Sequence, residues 1–241
     1  MPRFFSQNIE TFKEITGEDA KHIALSLRMT EGEKITVCDT AGYDYFCEIT
    51  SVHPEKTELK ILSKERTVSE PDIKLTLYQC LTKGEKFETV IQKSVELGAY
   101  NIVPVLSERC ISRPDNNSAE KKRIRWNKIS ESAAKQSGRG ILPEVKEIID
   151  FCEMCRHLKE YDAVYFFYEK GGQPIKTLIS DRKPESVAVI VGPEGGFSEA
   201  EAEEISRHGG KTVTLGKRIL RTETAPVAAI TAIMLLTDNL E

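Results

Sequence analysis

The chain has 241 residues, 39% apolar and 30% charged, and carries a formal net charge of −4 at pH 7. That is room for one large domain or two small ones, with the composition of a soluble globular protein. No apolar run approaches the ~18–20 residues that span a bilayer, and the opening "MPRFFSQNIE" lacks the apolar centre of a signal peptide, so a cytoplasmic protein without a membrane partner is expected.

"TGEDAKHIALSLRM" (Thr16–Met29) carries a helix start signal, with Thr16 or Gly17 as cap and acids following. "EKITVCDT" (Glu33–Thr40), "YDYFCEITSV" (Tyr43–Val52) and "TELKILSKE" (Thr57–Glu65) are strand-like, separated by turn residues. One helix and several short strands predict a small β-barrel over residues 1–70. "RTVSEPDI" (Arg66–Ile73) is polar, holds a proline and predicts a linker.

Beyond it the pattern changes to alternating strands and helices. Strands are predicted at "KLTLYQCL" (Lys74–Leu81), "NIVPVLS" (Asn101–Ser107), Glu144–Ile148, "AVYFFY" (Ala163–Tyr168), "VAVIV" (Val187–Val191) and "TVTL" (Thr212–Leu215). Helices are predicted at Glu85–Gly98, at Glu120–Gln136, after Ser198 and at Pro226–Leu240. This alternation indicates an α/β domain with a mostly parallel sheet over residues 73–241.

Six cysteines are present, and only Cys152 and Cys155 form a CxxC. A single pair in a helical stretch is not a zinc ligand set. The four histidines have no metal-ligand spacing, and no metal is assigned. From Ser107 to Arg139 nine basic residues face four acidic ones, inside an acidic chain. That reads either as a solvated helix face or as a surface for a phosphate backbone.

"VAVIVGPEGGFSEAEAEEI" (Val187–Ile205) runs from strand through a glycine loop into a helix opened by a Ser198–Glu201 capping box. Gly192, Gly195 and Gly196 allow a ligand to approach the backbone closely. Glu194 in that loop, and the missing lysine, argue against a bound phosphate. "LGKRILRTETAP" (Leu215–Pro226) also follows a strand, and Pro226 suits a first helical turn. Its mix of apolar side chains, backbone groups and few charges suits a flat heterocycle with a polar tail. "YEKGG" (Tyr168–Gly172) is a third strand-end loop, and the three together could line one pocket.

"VGPEGGFSEAE" followed by "LGKRILRTETAP" resembles the signature of the SPOUT-class RNA methyltransferases. More narrowly, it resembles the bacterial 16S ribosomal RNA uracil-N3 methyltransferases, the RsmE family. "LTKGEKFETVIQKSVELG" (Leu81–Gly98), "SERC" (Ser107–Cys110), "RWNKISESAAKQSGR" (Arg125–Arg139) and Pro143 are similar to that family's pattern, and weaker matches lie at Arg3, Phe4, Phe5, His22 and Leu27–Glu33. Cys110 departs from it, standing where the family commonly carries a basic or small polar residue. The resemblance implies a C-terminal α/β domain with a deep trefoil knot that binds S-adenosylmethionine. It also implies a PUA-like N-terminal barrel that binds RNA, a homodimer with the pocket near its interface, and small-subunit ribosomal RNA as substrate. The apolar helix Pro226–Leu240 suits either that interface or the monomer's core.

In this reading Tyr168, Glu169, Gly192, Pro193, Glu194, Gly195, Gly196, Leu215, Gly216, Ile219, Leu220 and Thr222 hold the cofactor. Its positive sulfur makes Glu194 no obstacle. Uracil N3 must lose a proton, so an anion-stabilising cation and a proton acceptor are needed. Arg221 and Glu223 are the candidates, with a structural ion pair between them as the alternative. Arg3, Arg28, Arg109, Arg113, Lys121, Arg125, Gln136 and Arg139 are candidates for RNA contact, the arginines through their planar forks. The same features fit another SPOUT methyltransferase, acting on transfer RNA or a ribose 2′-hydroxyl, and less well a non-catalytic RNA-binding protein.

Overall fold

A computed structural model of the chain describes residues 1–179 and 183–240. They form two compact units: Met1–Glu70 with Ala134–Leu142, and Pro71–Ala133 with Pro143–Glu241.

The first unit starts with β1 (Arg3–Phe5), α1 (Ile9–Phe12), β2 (Glu14–Thr16) and α2 (Gly17–Lys21), which continues as a π-helical turn over His22–Ser26. Then come β3 (Lys34–Cys38), β4 (Tyr43–Val52) and β5 (Lys56–Arg66). The ladders run in the order β1-β3-β4-β5-β2. β1 is parallel to β3, and the other pairs are antiparallel. β4 alternates buried and less buried positions over Tyr45–Ile49, the period-2 pattern of a sheet with one covered face. That face packs with Phe4, Ile9, Ile15, Ile23, Ile35, Val37 and Leu59 into one core. The sequence predicts neither β1 nor β2; three residues are too few to show a period. The predicted helix to Met29 ends at Ser26, and Arg28 takes a left-handed φ of 52°.

The second unit contains β6 (Lys74–Cys80), α3 (Lys86–Glu96), β7 (Asn101–Leu106), most of α4 (Asn116–Ser137), β8 (Glu144–Val145) and β9 (Ile149–Asp150). After α5 (Phe151–His157) follow β10 (Ala163–Phe167), β11 (Gln173–Pro174), β12 (Ser186–Val191), α6 (Glu199–Arg207), β13 (Lys211–Thr214) and α7 (Ala225–Leu236). Its sheet has the order β11-β13-β10-β12-β6-β7-β8, with β9 beside β7, and every ladder is parallel. Strands β6, β10 and β12 are buried along nearly their whole length, as strands covered on both faces must be. Of the strand predicted over Glu144–Ile148 only β8 forms, and β9 begins just beyond it.

Register decides where a site can form. Val213 pairs with Phe167, Phe167 with Val191, and Val191 with Gln79. The carboxyl ends of β13, β10, β12 and β6 therefore lie in one row, and the loops that leave them are neighbours. Among the described residues no helix is long and apolar enough to cross a membrane, and no group of three His, Cys, Asp or Glu side chains is placed to hold a metal.

Candidate functional site

The loop after β12 is fixed from below. Phe197, 1% exposed, packs edge-on to Phe166 at 5.1 Å and tilted to Phe151 at 6.4 Å. A Cβ on Gly192 would meet the Phe197 ring at 3.0 Å, so any side chain there would have to push the buried anchor aside. The helix then begins as its sequence predicts. Ser198 accepts from the Glu201 N–H, and Glu201 Oε2 accepts from the Ser198 N–H at 3.0 Å, a complete capping box. Glu201 is 7% exposed, and its Oε1 also accepts from the Glu108 N–H at 2.8 Å. The next residue, Arg109, donates from Nη1 to the Gly195 carbonyl at 2.9 Å. Gly196 has a φ of +64°, and its Cα lies against the Glu169 carboxylate from the loop after β10.

A cavity of about 540 Å³ opens over this row of strand ends, within the ~300–1,000 Å³ usual for small-molecule sites. All fourteen residues predicted for the cofactor and for catalysis line it: Tyr168, Glu169, Gly192 to Gly196, Leu215, Gly216 and Ile219 to Glu223. The structure adds Lys86, Lys217 and Arg218, together with Phe167, Val191, Val213, Thr214 and Ala225. Ile219 is 82% exposed at the tip of its loop.

Two sets of contacts tie the two main loops. At the rim, Lys86 Nζ lies 3.3 Å from Glu194 Oε1 and 3.8 Å from Glu223 Oε2. The ion pair of Glu223 is thus with a lysine on α3, where the sequence alone suggested Arg221. Burial works against the charge on Glu194. Hydrogen bonds from its own N–H and that of Lys83, and then Lys86, outweigh it and hold the carboxyl below its usual value. Glu223 Oε2 is itself buried and accepts no hydrogen bond. Beneath the cavity, Thr222 Oγ1 donates to the Gly192 carbonyl at 2.8 Å, and Gln79 Nε2 approaches the same two atoms.

The predicted RNA-contact residues divide. Arg28, Arg109, Arg113, Lys121, Arg125 and Gln136 are exposed. Arg113 Nη2 donates to the Ser107 and Glu108 carbonyls, and Arg125 pairs with Glu88 at 2.7 Å. Arg3 and Arg139 are instead largely buried and paired within the first unit. Arg139 is 2% exposed, with Nε and Nη2 each 2.8 Å from the Glu70 carboxylate. Arg3 grips Asp44 through both Nη atoms and the Arg139 carbonyl through Nε. Their charges are neutralised inside the first unit, because buried guanidinium requires a paired carboxylate. Gln136 and Arg139 both belong to that unit, whereas the cavity belongs to the second.

Cysteine is packing material here: five of the six are buried and only Cys152 is exposed. Cys110 sits against Ser107, whose N–H donates to its sulfur at 3.4 Å. The Cys80 thiol holds the Cys110 thiol down to about 6, against burial.

The residues that sequence reasoning missed are Lys86 and Gln79. Both lie inside the stretch "YQCLTKGEK", but their partners stand more than a hundred residues away, and no local pattern marks them.

Comparison with known proteins agrees with this geometry. Residues 69–234 match the family model of an RNA methyltransferase domain, and residues 15–62 that of an RNA methyltransferase PUA domain. The ribosomal RNA small subunit methyltransferase E of Bacillus subtilis is 37% identical, over 100% of this chain and 98% of the relative. The protein of the same name from Mesomycoplasma hyopneumoniae is 31% identical, over 96% and 98%. The crystal structure of a ribosomal RNA small subunit methyltransferase E from Neisseria gonorrhoeae bound to S-adenosyl methionine superposes with a TM-score of 0.86 at 33% identity, covering 98% of each chain. The chain belongs to the RNA methyltransferase family that contains these ribosomal RNA small subunit methyltransferases.

Proposed function

We propose that the protein transfers a methyl group from S-adenosylmethionine to N3 of a uridine in 16S ribosomal RNA of the small subunit. The observation that carries this reading is the cavity over the row of strand ends, walled by the loops 192–196 and 215–223. Bound there, the cofactor supplies an electrophilic methyl on a positive sulfur.

The residues present fit such a group. Gly192, Gly195 and Gly196 offer backbone alone to the cavity, and glycine lets a ligand approach the main chain closely. Glu169, Glu194 and Glu223 complement a cation, and Val191, Val213, Ile219 and Leu220 offer apolar contact to a flat ring. Backbone groups of Gly192–Gly196 and Leu215–Leu220 bind and orient the ligand, which lowers the entropic cost of an in-line transfer. Tyr168 closes one side.

Uracil N3 must give up a proton as it attacks. Glu223 Oε2, buried and without a hydrogen-bond donor, accepts it or orients the base. Arg221, exposed on the cavity wall, stabilises the developing uracil anion or the target phosphate. Arg28, Arg109, Arg113, Lys121, Arg125 and Gln136 contact RNA. A homodimer and a trefoil-knotted chain path belong to the same proposal, and sedimentation equilibrium tests the first. For the chemistry, cofactor binding and methyl transfer are measured for Arg221→Ala and Glu223→Gln. Turnover should fall by about 10²-fold or more in at least one, with binding retained; near-normal turnover in both would remove the catalytic roles.

A further inference from the structure

We propose that Gln79 is a positioning residue that sets the spacing of the two cavity walls by donating hydrogen bonds to both. The inference rests on the cofactor reading of the cavity.

Gln79 lies near the end of β6, in register with Val191, the last residue of β12. It is 0% exposed. Its Nε2 lies 3.3 Å from the Gly192 carbonyl, 3.2 Å from Thr222 Oγ1 and 3.1 Å from the Cys80 carbonyl. Thr222 Oγ1 gives its own proton to the Gly192 carbonyl at 2.8 Å, so its lone pair is what faces Gln79. The two protons of this amide nitrogen are shared among three acceptors, one on its own strand, one on the glycine loop and one on the second loop. Those loops are thirty residues apart in sequence and are the two walls that line the cavity.

The other end of the amide is equally informative. Gln79 Oε1 is buried and accepts no hydrogen bond. Burying an unsatisfied polar atom is unfavourable, and a side chain kept for packing alone would avoid it. The arrangement uses the donor and leaves the acceptor idle. It therefore demands N–H at this position, and a carboxylate there would face oxygen with oxygen. A protonated carboxyl, in contrast, restores one donor.

That asymmetry supplies the test. Three proteins are compared: the wild type, Gln79→Leu and Gln79→Glu. The first readout needs no cofactor: amide hydrogen exchange across residues 192–196 and 216–223. The second is S-adenosylmethionine affinity by calorimetry. Gln79→Leu should exchange faster in both loops while β10 and β12 stay protected, and should bind the cofactor about tenfold more weakly. Gln79→Glu should match it near pH 8.5 and regain affinity towards about pH 5.5, as the buried carboxyl becomes protonated. The wild type should lack that recovery. Wild-type exchange and affinity in Gln79→Leu would overturn the proposal. So would a Gln79→Glu protein that never recovers, because the donor would then not be what matters. If the wild type itself fails to bind S-adenosylmethionine while the exchange pattern follows the prediction, the cofactor reading fails and the positioning role stands.

Discussion

Lys86 Nζ lies 3.3 Å from Glu194 Oε1 and so joins the first turn of α3 to the glycine loop, with Glu223 Oε2 at 3.8 Å from the same ammonium group. Two carboxylates from two loops share one cation at the cavity rim. Glu194 has a lowered pKa, so it stabilises the fold above its ordinary value and that contribution is lost as pH falls through its lower folded value. Lys86→Met removes part of the cause. Carboxyl titration followed by NMR should then move Glu194 upward, and acid destabilisation should begin at a higher pH. An unmoved Glu194 titration would mean that the backbone hydrogen bonds alone hold its charge.

Gly196 should resist any side chain. Its φ of +64° lies in the left-handed region, and a Cβ would sit 2.3 Å from Glu169 Oε1. Glu169 can swing aside, so the backbone strain dominates. Gly196→Ala should cost about 1–2 kcal/mol, lowering Tm by roughly 2–8 °C for a chain of this size. An unchanged Tm and unchanged cofactor affinity would contradict the strain.

The capping box offers a graded pair of substitutions. Ser198→Ala removes one cap acceptor and should cost about 1 kcal/mol in denaturant unfolding. Glu201→Ala removes acceptors from both the Ser198 and Glu108 N–H groups, and should cost about 2 kcal/mol or more. Because Glu108 precedes Arg109, which holds the Gly195 carbonyl, only the second substitution should also weaken cofactor binding. Equal effects on binding would break that link.

Arg139 and the exposed bases of α4 should fail in different ways. Arg139→Leu leaves the partly exposed Glu70 carboxylate with only the Gly140 N–H as its donor among the described residues, at a cost of about 1–3 kcal/mol. Reduced stability should accompany any weakening of RNA binding. Lys121→Ala and Arg125→Ala should leave the melting curve in place. They should weaken RNA binding and make the slope of log affinity against log salt shallower by about one for each phosphate that is no longer neutralised. A stable Arg139→Leu protein with weakened RNA binding would instead support Arg139 as an RNA-binding residue.

Much of the architecture is written locally. β4 spans Tyr43–Val52, the strand-like run that turn residues bound, and the Ser198–Glu201 spacing marks the first turn of α6. Both depend on neighbours within a few residues, which is what periodicity and capping encode. The cavity lining is legible for a related reason: glycines and a proline between strand and helix mark strand-end loops, and a parallel sheet brings such loops together. Pairings across the chain are not legible. Arg3 and Arg139 look like any surface arginine until Asp44 and Glu70 are folded against them. Gln79 sits in a buried strand and reads as interior filler, and only register places it beneath both loops. The segment Ala134–Leu142 returns to the first unit from within the second half of the chain, and no composition change announces that.

The most direct measurement is nucleoside mass spectrometry. Small subunits and their free 16S RNA, taken from cells that lack the modification, are incubated with the purified protein and isotopically labelled S-adenosylmethionine. Label is expected in 3-methyluridine at a single position, and none when the cavity variant Glu223→Gln with Arg221→Ala replaces the wild type. Label in a 2′-O-methyl nucleoside, label only in transfer RNA added as competitor, or no label at all would contradict the proposed function.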